Sequence, residues 1–87
     1  MADVEIYTTG YCPYCFRAKK LLDKKGAPYI EIDVEAAPER REEMKERAAG
    51  CHTVPQIFIG KEHVGGCDDL FELEFGGELD TMLGAGD

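Results

Sequence analysis

The segment that most restricts this chain is Cys12-Pro13-Tyr14-Cys15, which stands between a strand pattern and a helix pattern. Before it, residues 3–8 alternate Val4, Ile6 and Thr8 against Asp3, Glu5 and Tyr7, the period of a strand with one clearly apolar face. Thr9-Gly10 breaks that run. After it, Cys15, Ala18, Leu21 and Leu22 fall on one helical stripe, which predicts a helix from Pro13 to about Lys25, stopped by Gly26. Pro13 suits the first turn, where its missing N–H leaves nothing unsatisfied.

The remaining elements follow in the order β-α-β-α-β-β-α. Residues 28–34 form a second strand, with Tyr29 and Glu31 opposing Ile30 and Ile32. Pro38 opens a charged helix through Ala49, with Met44 and Ala48 as its apolar stripe and Gly50 as its stop. Pro55-Gln56-Ile57-Phe58-Ile59 is a short strand, Gly60-Lys61 a turn and Glu62-His63-Val64 the returning strand of a hairpin. A last helix begins near Cys67-Asp68-Asp69, where acidic residues suit an N-terminus. Leu70, Phe71 and Phe75 are its expected buried side, Gly76-Gly77 interrupts it, and Leu79 and Leu83 pack one final turn before frayed residues 84–87. Strands alternating with helices and then a hairpin make an α/β fold with a small mixed sheet, expected as one domain over 1–87.

The spacing of the first two cysteines has a chemical consequence. With Cys12 as N-cap, its sulfur faces unpaired N–H groups and the positive end of the helix dipole, and both favour thiolate over thiol. Cys15 lies one turn later, within disulfide reach but turned toward the core. The exposed thiol attacks and the shielded one resolves. A zinc site would need two more ligands from Cys51, His52, His63 or Cys67, and their spacing matches no second knuckle.

Composition narrows the setting. The opening Met-Ala-Asp-Val-Glu shows neither a basic nor an apolar signal region, and no apolar run approaches the roughly 18 residues of a bilayer span. A reducing cytoplasm is the expected compartment, where clustered cysteines point to catalysis rather than structural bridges. The net charge of −8 argues against non-specific binding to nucleic acid or anionic membrane. Yet half of the ten basic residues, Arg17, Lys19, Lys20, Lys24 and Lys25, follow the cysteine pair. They form either a solvated helix face or a local basic face for an anionic substrate.

Two further segments carry chemistry. Thr53-Val54-Pro55 precedes a strand; by itself it fits an ordinary trans proline, while a cis bond would free the preceding backbone for an extended peptide. Gly65-Gly66-Cys67-Asp68-Asp69 at a helix start offers N–H groups to a carboxylate and Asp carboxylates to an ammonium. The α-amino acid end of a γ-glutamyl peptide carries both. Simple helix capping explains the same residues.

Together these segments resemble the glutaredoxin family, specifically the small bacterial dithiol type. The resemblance runs from Val4-Glu5-Ile6-Tyr7-Thr8 through Cys12-Pro13-Tyr14-Cys15, Thr53-Val54-Pro55-Gln56-Ile57-Phe58-Ile59 and Gly65-Gly66-Cys67-Asp68-Asp69-Leu70. It implies a thioredoxin-like fold, a four-stranded mixed sheet flanked by helices, and glutathione as reducing cosubstrate. It makes Cys12 the nucleophile and Cys15 the resolving thiol. It has Val54 pair its backbone with the glutathione cysteine beside a cis Pro55. Gly66, Cys67 and Asp68 then hold the γ-glutamyl end, with Thr53, Tyr14 and Asp69 lining the groove and Arg41 or Arg17 serving the glycine carboxylate. Two departures stand out: Thr8-Thr9-Gly10-Tyr11 lacks a lysine that many relatives place before the first cysteine, and Cys51-His52 stands where many have Arg or Thr.

The implied reaction is thiol exchange, with thiolate fraction and leaving-group pKa setting the rate. Its expected partners are glutathione and glutathionylated or disulfide-bonded proteins. Ribonucleotide reductase is one such client, and nothing in the residues selects it. No metal is expected, and a monomer is the default. A thioredoxin reduced by a flavoprotein is a rival that Pro13-Tyr14 and Asp68-Asp69 disfavour. An iron–sulfur carrier is another, and Pro13 disfavours it by stiffening the loop.

Overall fold

The computed structural model describes residues 2–84. Its first strand, β1 (Val4–Thr8), has two buried faces rather than one. Val4 and Ile6 enter one core cluster, as expected. Tyr7, assigned to the polar face by its alternation with Ile6, is fully buried in a second cluster. The reason is that β1 is an inner strand. It pairs in parallel with β2 (Tyr29–Asp33) and antiparallel with β3 (Gln56–Ile59), so helices cover both of its faces.

The sheet order is β2-β1-β3-β4, with β4 (Glu62–Gly65) antiparallel to β3. This is the expected four-stranded mixed sheet. One face carries α1 (Pro13–Lys24), α3 (Cys67–Phe75) and α4 (Leu79–Leu83), which contribute Ala18, Leu21, Leu22, Leu70, Leu79 and Leu83 to the core with Ile57 and Ile59. The other face carries α2 (Arg40–Arg47), whose Met44 packs with Tyr7, Ile32, Val34 and Phe58. Ile30, the register partner of Glu5, stays 62% exposed because it lies outside that smaller cluster.

Several boundaries differ from the sequence reading. The charged helix starts at Arg40, not Pro38, because Arg40 N–H and Arg41 N–H still bond to Ala37 and Pro38 in turns. It ends at Arg47, with Ala49 and Gly50 in positive φ. Phe75 was expected inside and is 82% exposed. It follows Leu70 by five positions, which rotates it about 140° away on a helix of 3.6 residues per turn. Gly84 closes α4 in a left-handed conformation, and the expectation of fraying at 85–87 lies outside the described residues.

Candidate active site

Cys12 caps α1 from an extended conformation, and its Sγ accepts the Cys15 N–H at 3.1 Å. The sulfur therefore satisfies an otherwise orphaned helix donor while lying at the positive end of the dipole. It is half-buried, whereas Cys15 is 1% exposed. Burial, and next the hydrogen bond with Cys12, push the Cys15 thiol up to about 12. At neutral pH Cys15 is a protonated thiol beside the sulfur at the helix end. Both cysteines and Arg17 line a shallow opening of about 410 Å³ that also includes Thr9, Gly10 and Tyr11.

The Val54–Pro55 bond is cis, as the resemblance implied and the dipeptide alone did not. The Val54 carbonyl oxygen stands 4.0 Å from Cys12 Sγ. Thr53, Val54 and Pro55 form one wall of a groove of about 390 Å³, and Gly66, Cys67, Asp68 and Asp69 form the facing wall, with Tyr14 at the rim. Eight residues named from sequence thus meet at one cleft next to the dithiol. The β3–β4 hairpin accomplishes this, because it returns the chain from Pro55 to the start of α3.

At that helix start, Asp69 accepts the Gly66 N–H at 2.9 Å, so one carboxylate serves as cap while Asp68 is exposed. Cys67 is buried, and desolvation raises its pKa above the ordinary thiol value. Arg41 is not part of the groove lining. Its Nη1 donates to the His52 carbonyl at 3.0 Å, which ties α2 to the loop that carries Thr53.

Four groove residues escaped the sequence reading of the site: Cys51, Gln56, His63 and Val64. Cys51 is exposed at the groove. Gln56 is buried at 3% exposure and donates to the Thr53 carbonyl at 3.0 Å, while its Oε1 contacts His63 Nε2 at 2.7 Å. A lone amide inside the apolar run 55–59 was the available signal. Among the described residues, no group of three or more His, Cys, Asp and Glu side chains stands together as a metal cluster.

A mixed sheet between helices, with a dithiol at the N-terminus of its first helix, defines a thiol–disulfide oxidoreductase of thioredoxin-like fold. The model of the family described as Glutaredoxin matches residues 4–64, and the chain belongs to that family. It is 56% identical to a glutaredoxin of Pseudomonas aeruginosa over 85 residues, covering 98% of this chain and all of that one. The solution structure of a glutaredoxin from Brucella melitensis is 60% identical, with a TM-score of 0.84 over all of this chain and 94% of that one. The crystal structure of a buckwheat glutaredoxin–glutathione complex is 35% identical, with a TM-score of 0.86 over 95% of this chain and 77% of that one.

Proposed function

We propose that this oxidoreductase is glutathione-dependent and acts on protein–glutathione mixed disulfides and protein disulfides through Cys12 and Cys15. The observation that carries the reading is the sulfur of Cys12 at the helix end, beside the groove between the Val54–Pro55 wall and the Gly66–Asp69 wall. That groove suits a short peptide bearing a thiol in its middle and an amino-acid end group. The buckwheat complex supports the choice of ligand by homology.

In the proposed reaction, Cys12 thiolate attacks the glutathione sulfur of a mixed disulfide. A Cys12–glutathione bond forms, the original disulfide breaks, and the protein leaves as a thiolate that takes a proton from water. A second glutathione thiolate then attacks the glutathione sulfur, releasing oxidised glutathione and restoring Cys12. With a protein disulfide, Cys12 attacks one sulfur and the other leaves as a thiolate. Cys15 then gives its proton to water, closes on the Cys12 sulfur and expels the second protein thiolate. Two glutathiones reduce the Cys12–Cys15 bridge and leave as oxidised glutathione. The high pKa of Cys15 keeps it silent until it closes on Cys12. Val54 offers backbone pairing to the glutathione cysteine, Gly66, Cys67 and Asp68 hold the γ-glutamyl end, and Tyr14, Thr53, Pro55 and Asp69 shape the walls. Arg41, which holds the His52 carbonyl from outside the groove lining, is the proposed partner of the glycine carboxylate. The cytoplasm supplies the glutathione.

The test is reduction of a small glutathione mixed disulfide, coupled to glutathione reductase and NADPH. Turnover should vanish in Cys12→Ser and persist in Cys15→Ser, while Cys15→Ser loses protein-disulfide reduction. Activity lost in Cys15→Ser and kept in Cys12→Ser would overturn the roles.

A further inference from the structure

Five basic residues of α1 and its C-terminal end divide into two sets. Lys19 pairs with Glu31 at 2.9 Å, and Lys25 pairs with Glu74 at 2.6 Å and Asp80 at 3.0 Å. Arg17, Lys20 and Lys24 have no carboxylate partner among the described residues. Their spacing of three and seven places all three on one face of the helix.

That face borders a groove of about 620 Å³ between α1 and α3. Leu21 and Phe71 supply its apolar lining, and Asp23 is its one carboxylate. The Arg17 guanidinium lies over the Phe71 ring, 5.6 Å from its centroid. Arg17 also lines the opening around Cys12, so one side chain borders both the groove and the thiol. Phe16 is 62% exposed, with Lys20 over its ring.

We propose that this groove docks an extended acidic segment of the protein substrate, with one aliphatic or aromatic residue set against Leu21 and Phe71. The inference rests on the reading of Cys12 as the attacking thiol and adds the class of protein it selects. Charge complementarity identifies the occupant. The chain carries −8 overall, so an acidic partner is repelled by most of the surface and attracted at these three cations. A nucleic acid or an anionic membrane would meet the same net repulsion with no larger basic field to offset it.

Length sets the register. Arg17 to Lys24 spans about 10 Å of helix at 1.5 Å per residue, starting about 8 Å along from Cys12. An extended peptide covers that stretch with its third to sixth residues at about 3.3 Å each. The acidic residues therefore lie about three to six positions from the cysteine being reduced.

The test compares two glutathionylated decapeptides with one cysteine each. One bears Glu and Asp with a Leu three to six positions from the cysteine, and the other has Lys in place of the acids. The wild-type chain is expected to favour the acidic peptide by about tenfold in kcat/KM at low salt, with the preference shrinking as salt is added. Lys20→Glu/Lys24→Glu should abolish or invert that preference, while turnover of a small glutathione mixed disulfide stays within about twofold. An unchanged preference in the double variant overturns the docking proposal. Absence of small-disulfide turnover in the wild-type chain instead overturns the proposed function. In that event, NMR shifts induced by a cysteine-free acidic peptide still decide the groove: perturbation centred on Arg17–Lys24 and Phe71 supports it. Perturbation elsewhere, none at all, or shifts that track protein concentration without peptide overturn it.

Discussion

His63 Nε2 lies 2.7 Å from Gln56 Oε1, and Gln56 in turn donates through Nε2 to the Thr53 carbonyl at 3.0 Å and the Thr53 hydroxyl at 3.3 Å. The donation to Thr53 fixes the amide orientation, so the Gln56 oxygen must accept and His63 must donate from Nε2. A strand β4 side chain thereby braces the loop that forms one wall of the groove. His63→Ala should raise KM for glutathione about fivefold, the equivalent of one net hydrogen bond near 1 kcal/mol, with kcat unchanged. His63→Gln, which keeps a donor, should recover part of the loss. A fall in kcat with KM unchanged would show that the brace does not act through binding.

Accessibility and protonation together sort the four cysteines. Cys51 is exposed and Cys12 half-buried at the surface, while Cys15 and Cys67 are buried with their pKa values pushed up by desolvation above all. Iodoacetamide at about pH 7 should therefore modify Cys12 and Cys51 and spare Cys15 and Cys67, because access separates the two pairs and the raised pKa values of the buried thiols act in the same direction. Peptide mass spectrometry before and after denaturation checks this. Labelling of Cys15 in the folded chain at the rate of Cys12 would contradict the packing.

What the sequence made legible was whatever depends on local chemistry. Cys12 at the helix cap, Pro13 in the first turn and the Gly60-Lys61 hairpin all follow from short-range rules, and they stand where those rules put them. Tyr7 did not, because its burial depends on α2 covering the second sheet face, a fact of tertiary structure that alternation within one strand cannot contain. Phe75 failed for a related reason: it is apolar, but its helical phase points it outward. Of the residues drawn from the resemblance, Tyr14, Thr53, Val54, Pro55, Gly66, Cys67, Asp68 and Asp69 line one groove and Arg41 stands outside it, whereas the bracing pair of Gln56 and His63 needs the β3–β4 pairing to be known first.

Acid should act partly through Glu31. Burial works to raise its pKa, but hydrogen bonds from Lys19 and Thr8 together outweigh that and hold the carboxyl below 4.5. Because the folded value is depressed, this stabilisation is present above about pH 4.5 and is lost as pH falls through the lowered folded value. Glu31→Gln should then lower the urea midpoint at neutral pH by a small amount, since such partly exposed pairs contribute about 0–1 kcal/mol. It should also lose less on acidification than the wild-type chain does. Parallel acid limbs for the two proteins would exclude Glu31 as a contributor.

Gly65 joins β4 to the start of α3, and it is there that substitution should be felt in both stability and binding. Its φ of +114° disfavours any L side chain, and an added Cβ would come within 2.9 Å of the Asp69 carboxyl carbon. That same Asp69 accepts the Gly66 N–H, so relief of the clash removes the cap of α3. Gly50, also at positive φ, has open space around it, which makes Gly50→Ala a control for backbone strain alone. We expect Gly50→Ala to cost about 1 kcal/mol and Gly65→Ala about 2–4 kcal/mol in urea unfolding, the difference reporting the cap and the collision. Only Gly65→Ala should also raise KM for glutathione, because only that glycine shapes the wall assigned to the γ-glutamyl end. Equal losses in the two variants would mean that Asp69 moves aside freely and that its bond to Gly66 does not hold the groove.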